Sequence, residues 1–321
     1  TFDRGDIESI ASVAPEHMDR FPEGTHVLRE PLPRIFAVFF NQAKAPAFAE
    51  QAVRRALVTA IDRNKVIGDN LSGYGVAIEG PVLPDTLQKN SKTSAVAQEI
   101  TAATSSAETN ASLADEANAI LEQAGWKLGD DGVRVKKDTR LSFSIATADT
   151  PELAGTAESV ARMWRAIGAD VTIKVFSTSD LANTVIRPRD YQALLFGEVV
   201  GRSLDLFAFW HSSQRNDPGL NIALYASVKT DKLLSDARKD ASVRGRLEKL
   251  REFSEIVRAE NPAAFLYAPE FIYILPKDIG GVSIGSLTTP SERFLNVHQW
   301  HRETERVWSI FTEPLSNISI Y

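Results

Sequence analysis

Six chemistry-bearing side chains crowd into one short stretch of this sequence: Glu198, Arg202, Asp205, Phe207, Trp210 and His211. Aromatic faces with a few charges among them are what a small-molecule site needs. The stretch follows an apolar run, Ala193-Leu194-Leu195-Phe196, that reads as a strand, and open α/β sheets place ligands beyond the carboxyl ends of their strands. An arginine there offers a planar fork of donors suited to a carboxylate. An indole offers a flat wall for a ring or an aliphatic chain. Phe207, Phe209 and Trp210 cannot all face one way at this spacing, so the cluster divides between site and core. Asn221 and Tyr225 extend the same loop.

Other motifs carry less. Gly281-Val282-Ser283-Ile284-Gly285 matches the nucleophile-elbow pattern, but that elbow needs a helix directly after its serine. Ser286-Leu287-Thr288-Thr289-Pro290 is poor helix material, so no catalysis is expected from Ser283. His298 and His301 stand three apart with Glu303 nearby, but they alternate with Val297 and Trp300. An exposed, strand-like tail is expected there rather than a metal site. Asp130 and Asp131 lie in a turn between glycines. No phosphate-cradling glycine motif occurs. The absence of cysteine excludes thiolate metal sites, disulfides and cysteine nucleophiles. No cofactor and no enzymatic activity are expected. A net charge of -6, from 36 basic and 42 acidic residues, argues against nucleic acid or an anionic membrane as partner.

The elements that must position the loop are legible as patterns. With 321 residues, 43% of them hydrophobic, a large core is available. Ile35 to Phe40 reads as a buried strand. Val53, Ala56, Leu57, Ala60 and Ile61 recur at helical spacing over 50–62, with Arg54, Arg55 and Asp62 off that face. Residues 91–112 are rich in Ser, Thr and Ala and carry no apolar stripe. Ser112, with Asp115 three residues on, resembles a capping box. Leu141 to Ile145 and Val171 to Phe176 alternate as strands around a helix that carries Val160, Met163, Trp164 and Ile167. Strand, helix and strand at that spacing predict a parallel pair with a right-handed crossover. A short helix is expected near 179–186, two more at about 229–240 and 243–260, and strands at 265–267 and 271–275. No run of 18 apolar residues exists to span a bilayer. The first residues lack the basic and apolar regions of a signal peptide, so either export does not occur or the signal lies outside this sequence.

Gln51-Ala52-Val53-Arg54-Arg55-Ala56-Leu57, leading to Ala60-Ile61-Asp62-Arg63, resembles a signature of the dipeptide, oligopeptide and nickel family of extracytoplasmic solute-binding proteins. The resemblance continues through Gly73-Tyr74-Gly75, Ala119 to Trp126, Asp131 to Arg134, Trp164 to Val171 and Arg189 to Ala193. It closes with Trp210-His211-Ser212-Ser213, Asn221, Tyr225, Asp231 to Leu234, and Pro262 with Leu266-Tyr267. These blocks keep the family's order from about residue 35 to 275.

The resemblance implies an α/β fold: a periplasmic-binding-protein-like lobe with a mixed sheet flanked by helices, plus hinge and tail segments. It implies a remnant of a first lobe and hinge at 1–36, a ligand-gripping lobe at 37–275, and a tail at 276–321 that returns to the first lobe. Segments 1–36 and 276–321 are expected to lie side by side. It further implies hinge closure on a small solute, peptide-like or other, and delivery to an ABC permease. The implied protein is a periplasmic or extracytoplasmic monomer, lipid-anchored in some family members. Peptide-binding relatives place an aspartate three residues before an Asp-Pro pair in the 197–210 loop, where it holds the peptide's amino terminus. Here Asp205-Leu206 stands at the Asp-Pro position and Arg202 at the aspartate's. A cation does not hold an ammonium group, so the departure favours an acidic or neutral ligand, with Glu198 one turn away to compensate. The competing readings are a sensing or interaction module on the same fold and, further off, a serine hydrolase.

Overall fold

The computed structural model describes residues 7–21, 25–83, 106–201, 204–285 and 287–302, without the side chains of 106–110. Two compact units divide the chain. One joins 1–30 with 271–321, and the other is Pro31–Glu270.

The Pro31–Glu270 unit is built on a mixed sheet. Its strands are β1 (Arg34–Phe40), β2 (Gly75–Ala77), β3 (Ser142–Ala148), β4 (Asp170–Phe176), β5 (Ala193–Val199) and the first part of β6 (Ala263–Leu275). The order is β6-β1-β5-β3-β4, with β2 added to β6. β3 lies parallel to β4 from Ser142↔Asp170 to Ala148↔Phe176, as the alternating pattern predicts. β5 runs parallel to β3 and antiparallel to β1, from Ala193↔Phe40 to Val199↔Arg34. β6 merges the two expected short strands into one, with a register shift between Phe265 and Tyr267 where it pairs with β1.

Helices α1 (Gln51–Thr59), α2 (Arg63–Leu71), α3 (Ser106–Gln123), α4 (Pro151–Ala166), α5 (Val228–Lys239) and α6 (Val243–Glu260) accompany the sheet. Asp62 caps α2, accepting from the Lys65 amide at 3.0 Å, as its position before an apolar-periodic run suggests. α4 fills the crossover between β3 and β4, burying Val160, Ala161 and Trp164. The Trp164 indole donates to Leu57 O at 2.7 Å, which ties α4 to the end of α1. Phe143 meets Trp164 edge-on at 5.5 Å and Phe48 at 4.7 Å. That geometry suits the opposed charge of ring edge and ring face.

Two expectations need correction. Ser112 is no cap: α3 begins at Ser106 and passes through it, because the alanines on either side sustain the helix. The rest of the Ser-, Thr- and Ala-rich segment, 91–105, lies outside the described residues. Arg54 does not point outward from α1. It is buried and donates to the carbonyls of Phe48 at 2.6 Å, Glu260 at 2.9 Å and Asn261 at 3.1 Å. A guanidinium can be buried this way when its donors are matched by fixed acceptors.

In the second unit, Ile10 and Ala11 pair with Ile274 and Tyr273 at the end of β6. Arg302 reaches both Asp278 and Glu8. Trp300 packs near Phe294 and Tyr273. Val297 to Gln299 form a single helical turn and His301 begins a two-residue strand. Ser283 sits in an irregular segment, so a nucleophile elbow is not formed there. The residues beyond 302, Glu303 included, lie outside the described residues.

Candidate functional site

The structure separates the six sequence-selected residues. Arg202 lies outside the described residues. Glu198 is the penultimate residue of β5, opposite Ile35, and only 3% of it is exposed. Neither carboxylate oxygen has a hydrogen-bond partner. The neighbouring Trp210 indole N–H is also unpaired, since the two groups do not reach bonding geometry. Burial pushes the Glu198 carboxyl well above the usual carboxylate range, and the nearby indole offsets this only in part. Burial therefore favours its protonated form, inside the fold.

Trp210 is fully buried. Its ring lies 5.7 Å from that of Phe265 and 6.2 Å from those of Phe39, Tyr225 and Phe253. The expected ligand wall is a core side chain. It joins the helical layer of α5 and α6 to the sheet.

The other three members form a surface cluster. Asp205 is held by Arg238, whose Nε lies 2.9 Å from both carboxylate oxygens. That pair keeps the Asp205 carboxyl below its ordinary range. Phe207 stacks on His211 at 4.0 Å, and the Arg238 guanidinium lies 4.0 Å from the same ring. His211 Nδ1 is 2.9 Å from Ser213 Oγ and 3.1 Å from the Ser213 amide. Asp231 receives the Ser212 amide and hydroxyl at 2.9 and 2.5 Å. Asn221 is buried and ties the loop's return by donating to His211 O and Tyr225 O. These contacts build a rigid corner. Beside it, Leu204 to Phe207, Leu234, Arg238 and Leu250 line a hollow of about 210 Å³. Among the described residues no group of three His, Cys, Asp or Glu is placed to hold a metal ion.

Sequence reading passed over the opposite face of the same strand end. Phe36 stacks on Tyr267 at 5.2 Å. The buried Tyr267 hydroxyl lies 3.0 Å from Glu152 Oε1 and 3.2 Å from Thr156 Oγ1, both on the first turns of α4. Burial, followed by the Glu152 charge, raises the phenol far above its ordinary value. Gly197 is obligatory beneath this stack: a Cβ there would fall 2.7 Å from the Phe36 ring. The only signal in the sequence was a glycine interrupting an apolar strand.

With this geometry in view, the comparisons are decisive on ancestry. The model of the family described as bacterial extracellular solute-binding proteins, family 5 middle, matches residues 1–219. The chain belongs to that family. It is 27% identical over 263 residues to the oligopeptide-binding protein AppA of Bacillus subtilis, covering 80% of this chain and 45% of that protein. Protein XP55 of Streptomyces lividans is 27% identical over 229 residues, covering 70% of this chain and 39% of its own length. The chain thus spans less than half the length of the curated relatives it matches.

Solved structures share the fold. AppA of Bacillus subtilis in complex with a nonapeptide superposes with a TM-score of 0.69 at 22% identity, over 94% of this chain and 57% of that one. An ABC transporter substrate-binding protein from Sinorhizobium meliloti gives 0.72 at 19% identity, over 93% and 58%. NikZ from Campylobacter jejuni, in complex with Ni(L-His), gives 0.66 at 21%, over 94% and 57%.

Proposed function

We propose that this family 5 chain is the solute-gripping part of an extracytoplasmic binding protein that hands a peptide-like ligand to an ABC permease. The observation that carries the reading is the family match over 1–219, joined to an α/β unit whose fold is that of AppA. The chain passes between its two units twice, at Glu30/Pro31 and at Glu270/Phe271. A hinge needs only a few residues to absorb rotation. The protein acts by binding, without catalysis, cofactor or nucleic acid, as a monomer outside the cytoplasm, and a lipid anchor on the full-length protein belongs to the same proposal. So do contacts to the ligand from Arg202 and from the rim residues Asp205, Phe207 and His211.

The test is titration calorimetry of the full-length protein with random-sequence nonapeptides, followed by uptake of a bound peptide in cells that lack the protein. Saturable binding and lost uptake are expected. Binding with uptake unchanged would favour the sensing module instead. Absence of binding would refute the peptide-ligand reading.

A further inference from the structure

We propose that Arg34 recognises a carboxylate of the ligand; the inference rests on the solute-binding reading. Four observations on the Pro31–Glu270 unit converge on it.

Topology comes first. β3 and β5 are parallel and β1 is antiparallel to β5. The end of β5, the start of β1 and the start of α4 therefore share one end of the sheet. That is the carboxyl end of the parallel strands, where open α/β sheets bind ligands. Arg34 is the first residue of β1, opposite Val199 at the end of β5, and Val199 is 51% exposed. Val199 thus opens this end to solvent, although Pro33 and Val200 beside it are buried.

The second observation is the side chain itself. Among the described residues Arg34 makes no ion pair, and its Nε is buried without a hydrogen-bond partner. Arg34 itself is half-buried, and the two buried arginines described in this unit are committed: Arg54 to three carbonyls, and Arg134 to Ile167 O, Trp126 O and Asn118. A buried donor left unmatched costs on the order of 1–3 kcal/mol. A ligand oxygen would remove that penalty.

The third observation is its setting. Residues two apart in a strand share a face, so Arg34 lies on the side of Phe36, whose ring is fixed over Gly197 and against Tyr267. An apolar ring beside an unmatched guanidinium suits a carboxylate that carries an apolar group.

Fourth, α4 starts at this end and Thr150, its N-cap, provides no side-chain hydrogen bond. Uncapped first-turn amides favour an anion. Of the acids at the start of α4, Asp149 is exposed and Glu152 is engaged by Tyr267.

A ligand carboxylate has two sources, a peptide's C-terminus or an acidic side chain. The experiment uses the full-length protein and three nonapeptide mixtures: free acids without Asp or Glu, C-terminal amides with Asp or Glu, and amides without either. Wild type is expected to bind at least one carboxylate-bearing mixture about ten- to a hundred-fold more tightly than the carboxylate-free one. Arg34→Gln should abolish that preference and keep the melting temperature. Arg34→Lys should restore only part of it, for lack of the planar fork. Equal binding of all three mixtures by wild type, or a preference that survives in Arg34→Gln, would overturn the proposal and leave the binding-protein reading intact. No binding of any mixture would overturn both.

Discussion

Gly197 and Glu198 are adjacent in one strand, yet their environments have nothing in common. Gly197 lies on the α4 face under the Phe36 ring, at the open end that also carries Arg34. Glu198 lies on the face closed by Trp210, with its carboxyl shut away from water and from any partner. One strand thus divides the Phe36 side, where we place the ligand carboxylate, from the side packed around Trp210. Burial disfavours the charged form of the acid on the closed side, while on the other side the Arg34 Nε has no hydrogen-bond partner. Residue type alone does not show that the acid, Glu198, is shut inside the fold.

The contrast can be broken by mutation, and the largest effect belongs to the closed face. Trp210→Ala removes a fully buried indole from a cluster of four aromatic rings. It is expected to cost about 3–5 kcal/mol in a denaturant titration. A loss under about 1 kcal/mol would show that the ring is not the core plug described. Gly197→Val forces a branched side chain into the Phe36–Tyr267 stack and should cost about 1–3 kcal/mol by the same measurement.

Glu198→Gln sharpens the comparison through pH. The folded state holds a proton that the unfolded state releases once the pH exceeds the ordinary glutamate range. Wild-type stability therefore falls as pH rises from that range toward the raised folded value. The glutamine variant lacks this loss. Its melting temperature should match wild type in acid and exceed it increasingly toward neutral pH. Parallel curves would show that the carboxyl is not buried neutral. The smallest effect is expected at the open end: Arg34→Gln should change stability by about 0.5 kcal/mol or less, which calorimetric melting would reveal. A larger loss would make Arg34 a structural residue.

Much of the fold was legible because it rests on local periodicity. The alternation around Val160 to Ile167 predicted the parallel β3–β4 pair, and a helical stripe predicted α1. What failed depended on partners distant in sequence. Arg54 read only as lying off the apolar face of α1, because its acceptors at 260 and 261 lie some two hundred residues further along. Spacing in the 197–210 loop could not say which of Phe207, Phe209 and Trp210 would be buried. That depends on Phe253 and Phe265, which belong to α6 and β6. Arg34 and Phe36 drew no notice because a run from Ile35 to Phe40 reads as uniformly buried, and only register with β5 and β6 shows where the strand emerges.

The larger unit begins and ends at one place: the Leu32 amide donates to Pro269 O at 2.9 Å, so the residues next to its two ends are tied by a backbone bond. A segment with adjoining ends is, in engineering terms, a removable cassette, since it can be excised or transplanted without stretching its host. Pro31–Glu270 should fold when produced alone. Carried into another two-unit scaffold through a short join, it would bring the Arg34 end, and the recognition proposed for it, with it.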